Sequence, residues 1–147
     1  MMKIRPATDR DRREWGRLRR ALWPDCQGAR ARLEMREQLS DAKKFGVLVI
    51  DCGDGRLGGF IELALRDGVD GAQRAITAYV EGWYVEPPLR GKNWGRKLVA
   101  AAGRWAKARG MLELASDAEL GNRPAHAAHE AVGFREVERL VLYLKKV

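Results

Sequence analysis

Apolar positions recur at two periods along the chain, and the switches between them predict its elements. Trp15, Leu18 and Leu22 stand at i, i+3 and i+7, one helix face, with arginines between them on the wet faces. Thr8 with Asp11 three residues on resembles a capping box, Asp standing for Glu. Trp23-Pro24 ends this helix, because a residue before proline is pushed out of the α region. Ala29 to Leu39 predicts a second helix whose stripe of Leu33, Met35 and Leu39 is weak, a cover rather than a core element. Phe45 to Ile50 is a continuous Val-containing run, a buried strand. A Gly-containing turn follows, and Arg56 to Leu65 pairs back as a hairpin.

Ile76 to Val85 predicts a long strand. Trp94, Leu98, Ala102 and Trp105 line one face of the next helix, and Gly110 closes it as a left-handed residue. Met111 to Ala115 predicts a strand and Asn122 to Val132 a short helix. Gly133-Phe134 returns the chain to a strand through about Glu138, and Leu140 to Val147 is a weakly alternating last strand. With Lys3 to Pro6 as the first strand, the order is β-α-α-β-β-β-α-β-α-β-β. That predicts an α+β domain spanning residues 1–147, with a mixed, mostly antiparallel sheet and helices on both faces.

Composition narrows the classes. At 46% apolar over 147 residues, the chain can bury a real core as one domain. Lys plus Arg number 28 against 20 Asp plus Glu, a net +8 that suits an anionic partner. Two cysteines, Cys26 and Cys52, are too few for a disulfide framework or a zinc site. Free thiols point to a reducing cytoplasm. No apolar run approaches the roughly 20 residues of a membrane helix, and the first ten residues carry no signal-type segment. A nucleic-acid-binding domain would interleave aromatics with an exposed basic face. The tryptophans here instead fall at apolar helical spacings or in strands.

One stretch carries most of the chemistry. From Val80 to Ala102 a strand breaks at Pro87-Pro88, passes through a short basic loop and becomes a helix. Backbone N–H groups and the helix dipole make such a junction a phosphate trap. Arg90, Lys92, Arg96 and Lys97 crowd it, so a polyphosphate ligand is the natural guest.

Arg90-Gly91-Lys92-Asn93-Trp94-Gly95 resembles the acetyl-CoA loop of the GNAT superfamily of N-acetyltransferases, [Q/R]-x-x-G-x-[G/A]. Asn93 stands where that family usually has Gly, and Asn is the side chain that best tolerates positive φ. Asn122, opening a helix that ends in Gly133-Phe134, resembles the family's last motif. The resemblance implies that acetyl-CoA is held by Arg90 to Arg96 and by Asn122. It also implies that the backbone of Trp83, Tyr84 and Val85 pairs the pantetheine like an added strand. Asn122 reads equally well as a plain helix N-cap.

A closer resemblance, to the short dimeric aminoglycoside 6′-N-acetyltransferases, runs along nearly the whole chain. It rests on Leu22-Trp23, Val80-Glu81-Gly82, Ala115-Ser116-Asp117, Gly133-Phe134 with Glu136 and Glu138, and Tyr143 before Lys145-Lys146. It implies direct acetyl transfer to a drug amine, an antibiotic-resistance activity, in a cytoplasmic homodimer. In that reading Glu81, Asp117 and Glu138 bind ammonium groups and Trp23 packs on a sugar ring. Glu81 is then the candidate base, acting directly or through water, and Tyr143 the candidate acid for the thiolate.

Each carboxylate also reads as an ordinary turn, strand or surface residue. Glu81 stands out, because an unpaired carboxylate in a long apolar strand is costly. His126 and His129 share a helix face but lack a third ligand, so no metal is expected. Cys26 reads as a bystander. Relatives usually carry a Tyr in the loop before the long strand, whereas this chain has Arg66-Asp67-Gly68-Val69-Asp70. The acceptor could therefore be another small amine or a peptide N-terminus, or the domain could sense CoA without catalysis.

Overall fold

The computed structural model describes residues 1–147. Strands β1 (Lys3–Pro6), β2 (Phe45–Asp51), β3 (Leu57–Asp67), β4 (Ile76–Val85) and β5 (Leu114–Ser116) form one sheet in the order β1-β2-β3-β4-β5. The first three pairings are antiparallel and only β4–β5 is parallel. That last pairing needs a crossover, and helix α3 (Trp94–Ala108) provides it. Helices α1 (Arg12–Leu22), α2 (Gly28–Ser40) and α4 (Arg123–Ala131) complete the fold.

Alternation along the strands splits the core in two. Leu48, Ile50, Ile61, Leu63 and Val80 pack against Leu98, Ala101 and Ala102 of α3. The intervening Val47, Val49, Leu57 and Phe60 pack against Trp15 and Leu18 of α1 and Met35 of α2. Both faces of β2 and β3 are thus covered, which is why these strands read as nearly unbroken apolar runs. Trp15 and Phe60 are completely buried, each contributing about 1.5–3 kcal/mol of transfer free energy.

The α+β class, the mostly antiparallel mixed sheet and the helices on both faces match the pattern-based expectation. The order does not end as expected. No strand forms over 134–138 or 140–147, and residues 135–147 are all exposed. A strand must satisfy its backbone through a ladder, and nothing in this chain pairs with these residues. The strand expected over Met111 to Ala115 shrinks to Leu114–Ser116, and the second helix begins at Gly28 rather than Ala29.

Candidate active site at the open edge of β4

The β3–β4 register passes from Glu62 opposite Gly82 to Leu63 opposite Val80, leaving Glu81 as an extra residue on β4. Such a bulge re-aims a side chain and twists the strand. The neighbour on the other side ends here as well. β5 pairs with β4 only from Ala78 to Val80, so the outer edge of β4 from Glu81 to Val85 has no partner strand. Its outward N–H and C=O groups can pair with an extended ligand, as a sheet edge does.

Below that edge the chain turns through a short 3-10 segment, Pro87–Leu89, into the basic loop. The Arg90 guanidinium donates to the Val85 carbonyl at 2.7 Å and lies 5.4 Å from the Tyr84 ring. Gly91 (φ 74°) and Asn93 (φ 68°) are left-handed, and Asn93 is the one non-glycine residue with positive φ. Asn93 thus supplies the backbone turn for which a glycine would be the default. Trp94 opens α3, and a Cβ added at Gly95 would sit 3.3 Å from the Trp83 ring, so loop and strand are in close contact there. Lys92 is exposed. Arg96 donates to the Ala131 carbonyl at 2.7 Å, tying α3 to the end of α4. Asn122 is the N-cap of α4, its Oδ1 accepting from Ala125 N–H at 3.2 Å.

On the α3 side of the edge lies a cluster that the sequence pattern did not single out. His129 Nδ1 is 2.6 Å from the Ala125 carbonyl and its Nε2 is 2.7 Å from Ser116 Oγ. A carbonyl only accepts, so Nδ1 carries the proton and Nε2 accepts from the Ser116 hydroxyl. Trp83 and Phe134 meet the imidazole edge-on at centroid distances of 5.3 and 5.1 Å. Trp83 Nε1 is buried without a partner. The pairing of His129 with His126 on one helix face hid this role, since His126 instead lies 2.9 Å from the Glu119 carbonyl.

The opposite face of β4 holds the acidic residues. Tyr79 donates its hydroxyl to Asp117 just beyond β5. Burial first, and this hydrogen bond second, push the Tyr79 pKa well above its ordinary value. Glu81 forms a two-pronged ion pair with Arg66, whose Nε lies 2.6 Å from Glu81 Oε1 and whose Nη2 reaches Oε2. The Arg66 guanidinium stacks 3.8 Å from the Tyr79 ring centroid. Trp23 lies over Gly82, where an added Cβ would run into its ring. It is held by Phe60 at 6.0 Å and by Arg19 at 5.2 Å.

Of the four residues expected to bind the acceptor, Glu81, Asp117 and Trp23 therefore gather around one stretch of β4. Glu138 and Tyr143 do not join them: both lie in the exposed stretch beyond Phe134, with Tyr143 89% exposed. Apart from Arg66, a group of basic residues gathers away from this acidic face. A cavity of about 510 Å³ between α1 and α2 is lined by Arg12, Arg13, Arg19, Arg20, Arg32 and Arg36, so part of the net +8 is concentrated away from Glu81 and Asp117.

These features fit a thioester of coenzyme A. Two left-handed positions, Gly91 and Asn93, turn the loop at the N-terminus of a 15-residue helix, where diphosphate charge is favoured. The open β4 edge matches the alternating amides of pantetheine. The orphaned Trp83 Nε1 marks a polar position still to be satisfied.

A sheet whose fourth strand bulges and parts from the fifth above a basic, left-handed loop that opens a helix defines a class of acyl-transfer enzymes. Residues 15–134 match the acetyltransferase (GNAT) family, and the chain belongs to it. It is 42% identical over 142 residues to an aminoglycoside N(6′)-acetyltransferase type 1 of Stenotrophomonas maltophilia, covering 95% of this chain and 90% of that one. A Klebsiella aerogenes enzyme of the same name is 38% identical over 97% and 95% of the two chains. Among solved structures, the aminoglycoside 6′-N-acetyltransferase AAC(6′)-Ih of Acinetobacter baumannii superposes with a TM-score of 0.92 at 33% identity, covering 100% of this chain and 99% of that one. AAC(6′)-Iy in complex with the bisubstrate analogue CoA-S-monomethyl-acetylneamine superposes at 0.93 and 30% identity, over 100% and 99%.

Proposed function

We propose that this chain transfers the acetyl group of acetyl-CoA directly to the 6′-amine of an aminoglycoside, an activity that confers resistance to the drug. The observation that carries the reading is the acidic and aromatic face of β4: Glu81, Asp117, Tyr79 and Trp23 sit beside the strand edge that suits the thioester. A polycationic sugar needs carboxylates for its ammonium groups and a flat ring to stack on. The names carried by the relatives point to the same substrate.

Acetyl-CoA arrives already activated, so alignment carries much of the work. Backbone groups of Trp83, Tyr84 and Val85 hold the pantetheine, and one outward N–H of the β4 edge steadies charge developing on the thioester oxygen. Arg90, Gly91, Lys92, Asn93, Trp94, Gly95 and Arg96 surround the diphosphate, with Asn122 close by on α4. The attacking amine begins as an ammonium, and Glu81, directly or through a water, takes its proton. The transfer passes through no acyl-enzyme.

Glu138 and Tyr143 reach a site only if the stretch beyond Phe134 leaves its own domain. We infer that two copies exchange these residues as a homodimer, which brings Glu138 to the acceptor and Tyr143 to the departing thiolate. The exposure of Leu140, Val141, Leu142, Tyr143 and Leu144 supports this. Acetyl-CoA supply and the free thiols of Cys26 and Cys52 favour the cytoplasm as the working compartment. No helix is long and apolar enough to cross a membrane.

Thiol release from acetyl-CoA, run with a panel of aminoglycosides, tests the reading. Turnover of 6′-amino drugs and none of a 6′-hydroxyl analogue is the expected result. Silence across the panel with acetyl-CoA still binding would transfer the assignment to another amine.

A further inference from the structure

We propose that Arg66 is a specificity-determining residue of the acceptor site, a built-in cation that occupies the ammonium position at Glu81 and competes with the substrate for it. The inference rests on the acceptor reading above and concerns the same carboxylate.

Glu81 has two oxygens, and both are engaged by one guanidinium. The same guanidinium lies on the face of Tyr79, 3.8 Å from its centroid. A carboxylate flanked by an aromatic face is a recognition site for an organic cation. Here the chain fills that site with its own side chain. Position 66 makes this possible through the sheet: Arg66 pairs with Thr77 on β4, two residues past the Ala64–Tyr79 pair and on the same face. From there a long side chain crosses Tyr79 diagonally to reach the bulged Glu81.

The arrangement is a competitor rather than a fixed part of the core. The Arg66 side chain is 44% exposed and that of Glu81 26%, so the guanidinium can swing into water without leaving a buried charge. A fixed structural pair would resemble Arg19–Glu62, where the two side chains are 6% and 1% exposed. Each acceptor ammonium that pairs with Glu81 must first displace Arg66. The exposed guanidinium also repels the remaining charges of a polycation. Affinity for acceptors therefore falls with Arg66 present, while the acetyl-CoA side, on the other edge and face of β4, does not feel it.

The test compares the parent with Arg66→Ala and Arg66→Gln, and with Arg66→Ala combined with Glu81→Gln. Neamine is the acceptor probe, with acetyl-CoA saturating. Calorimetric binding of neamine in the presence of CoA gives affinity independently of turnover. Circular dichroism and thermal unfolding report that each variant is folded, and the glutamine variant keeps polar contact with Glu81. Both single variants should bind neamine about two- to fivefold more tightly, the scale of one half-exposed ion pair. The acceptor KM should fall in parallel, with the acetyl-CoA KM unchanged. The double variant should lose the gain, because the carboxylate being contested is gone.

Parent turnover of neamine with unchanged or weakened binding in both single variants would overturn the competitor role and leave the aminoglycoside reading standing. A gain that survives Glu81→Gln would also overturn it, since the competition would not be for Glu81. Failure of every form to bind or turn over neamine, with acetyl-CoA still bound, would sink both readings together.

Discussion

Arg19 and Glu62 form the most deeply buried ion pair in the molecule, with Arg19 Nε 2.9 Å from Glu62 Oε2. Trp15 and Gln38 donate to the same carboxylate at 3.1 and 2.5 Å. Burial pushes the Glu62 pKa up, and the charge of Arg19 works against that push. Arg19→Met would leave a buried carboxylate without its cation and should cost about 3–5 kcal/mol, near the lower end because two donors remain. Urea unfolding measures it, and replacing Glu62 with Met as well should recover most of the loss. Asn93 is the residue-scale test of the loop proposed to hold acetyl-CoA. Its φ of 68° is open to Gly without strain but costs a β-branched side chain well over 1 kcal/mol. Asn93→Gly should keep its acetyl-CoA affinity, whereas Asn93→Val should lose about tenfold or more by calorimetry. A valine variant that binds normally would mean that the loop's shape does not control the cofactor.

At the scale of elements, α1 is fastened to the start of β3 by Glu14. Its carboxylate accepts from Arg17 at 2.8 and 2.9 Å and from Leu57 N–H at 3.1 Å. The Arg17 hydrogen bonds, helped by that of Leu57, hold the Glu14 pKa down at about 2 against an ordinary 4.5. A depressed carboxylate contributes stability that is present above its unfolded pKa and lost as pH falls through its folded one. The parent should therefore lose stability between about pH 4.5 and pH 2. Glu14→Gln, weaker at neutral pH, should show a flatter acid dependence across that window in thermal unfolding. Equal slopes would remove Glu14 as the acid-sensitive latch. Such links between elements were invisible in the sequence, where Glu14 is one polar residue on a wet helix face. What the sequence does carry is whatever depends on local chemistry or period. The helix stripe of Trp15, Leu18 and Leu22, the buried run of β2 and the left-handed Asn93 were all legible for that reason. The bulge at Glu81 was not, because it is a property of how β3 and β4 pair. Nor was the Ser116–His129 contact, made by residues thirteen apart in two elements. Arg66 was legible only as a departure from related sequences; the sheet register is what sets it on Glu81.

The whole molecule leaves thirteen residues, 135–147, without a ladder, although their sequence predicts strand. Leu142 is 89% exposed and Leu144 102%. A run of exposed aliphatic side chains on unpaired backbone marks an interaction surface. On the proposed exchange, the strand expected there would form only against a partner. A second copy is the economical one, because a two-fold exchange buries the same stretch of both chains at once. It would also deliver Glu138 and Tyr143, the two expected site residues that a single chain leaves outside. Sedimentation should therefore find the parent at twice the 16.6 kDa chain mass. Leu142→Asp with Leu144→Asp places charges in the stretch proposed to exchange and should shift the protein to monomer. The monomer should still bind acetyl-CoA, whose loop and strand edge lie within one chain, but its acceptor turnover should drop sharply. A monomeric parent with full activity would refute the exchange and take Glu138 and Tyr143 out of the reaction. Full turnover by a monomeric variant would do the same for the two residues.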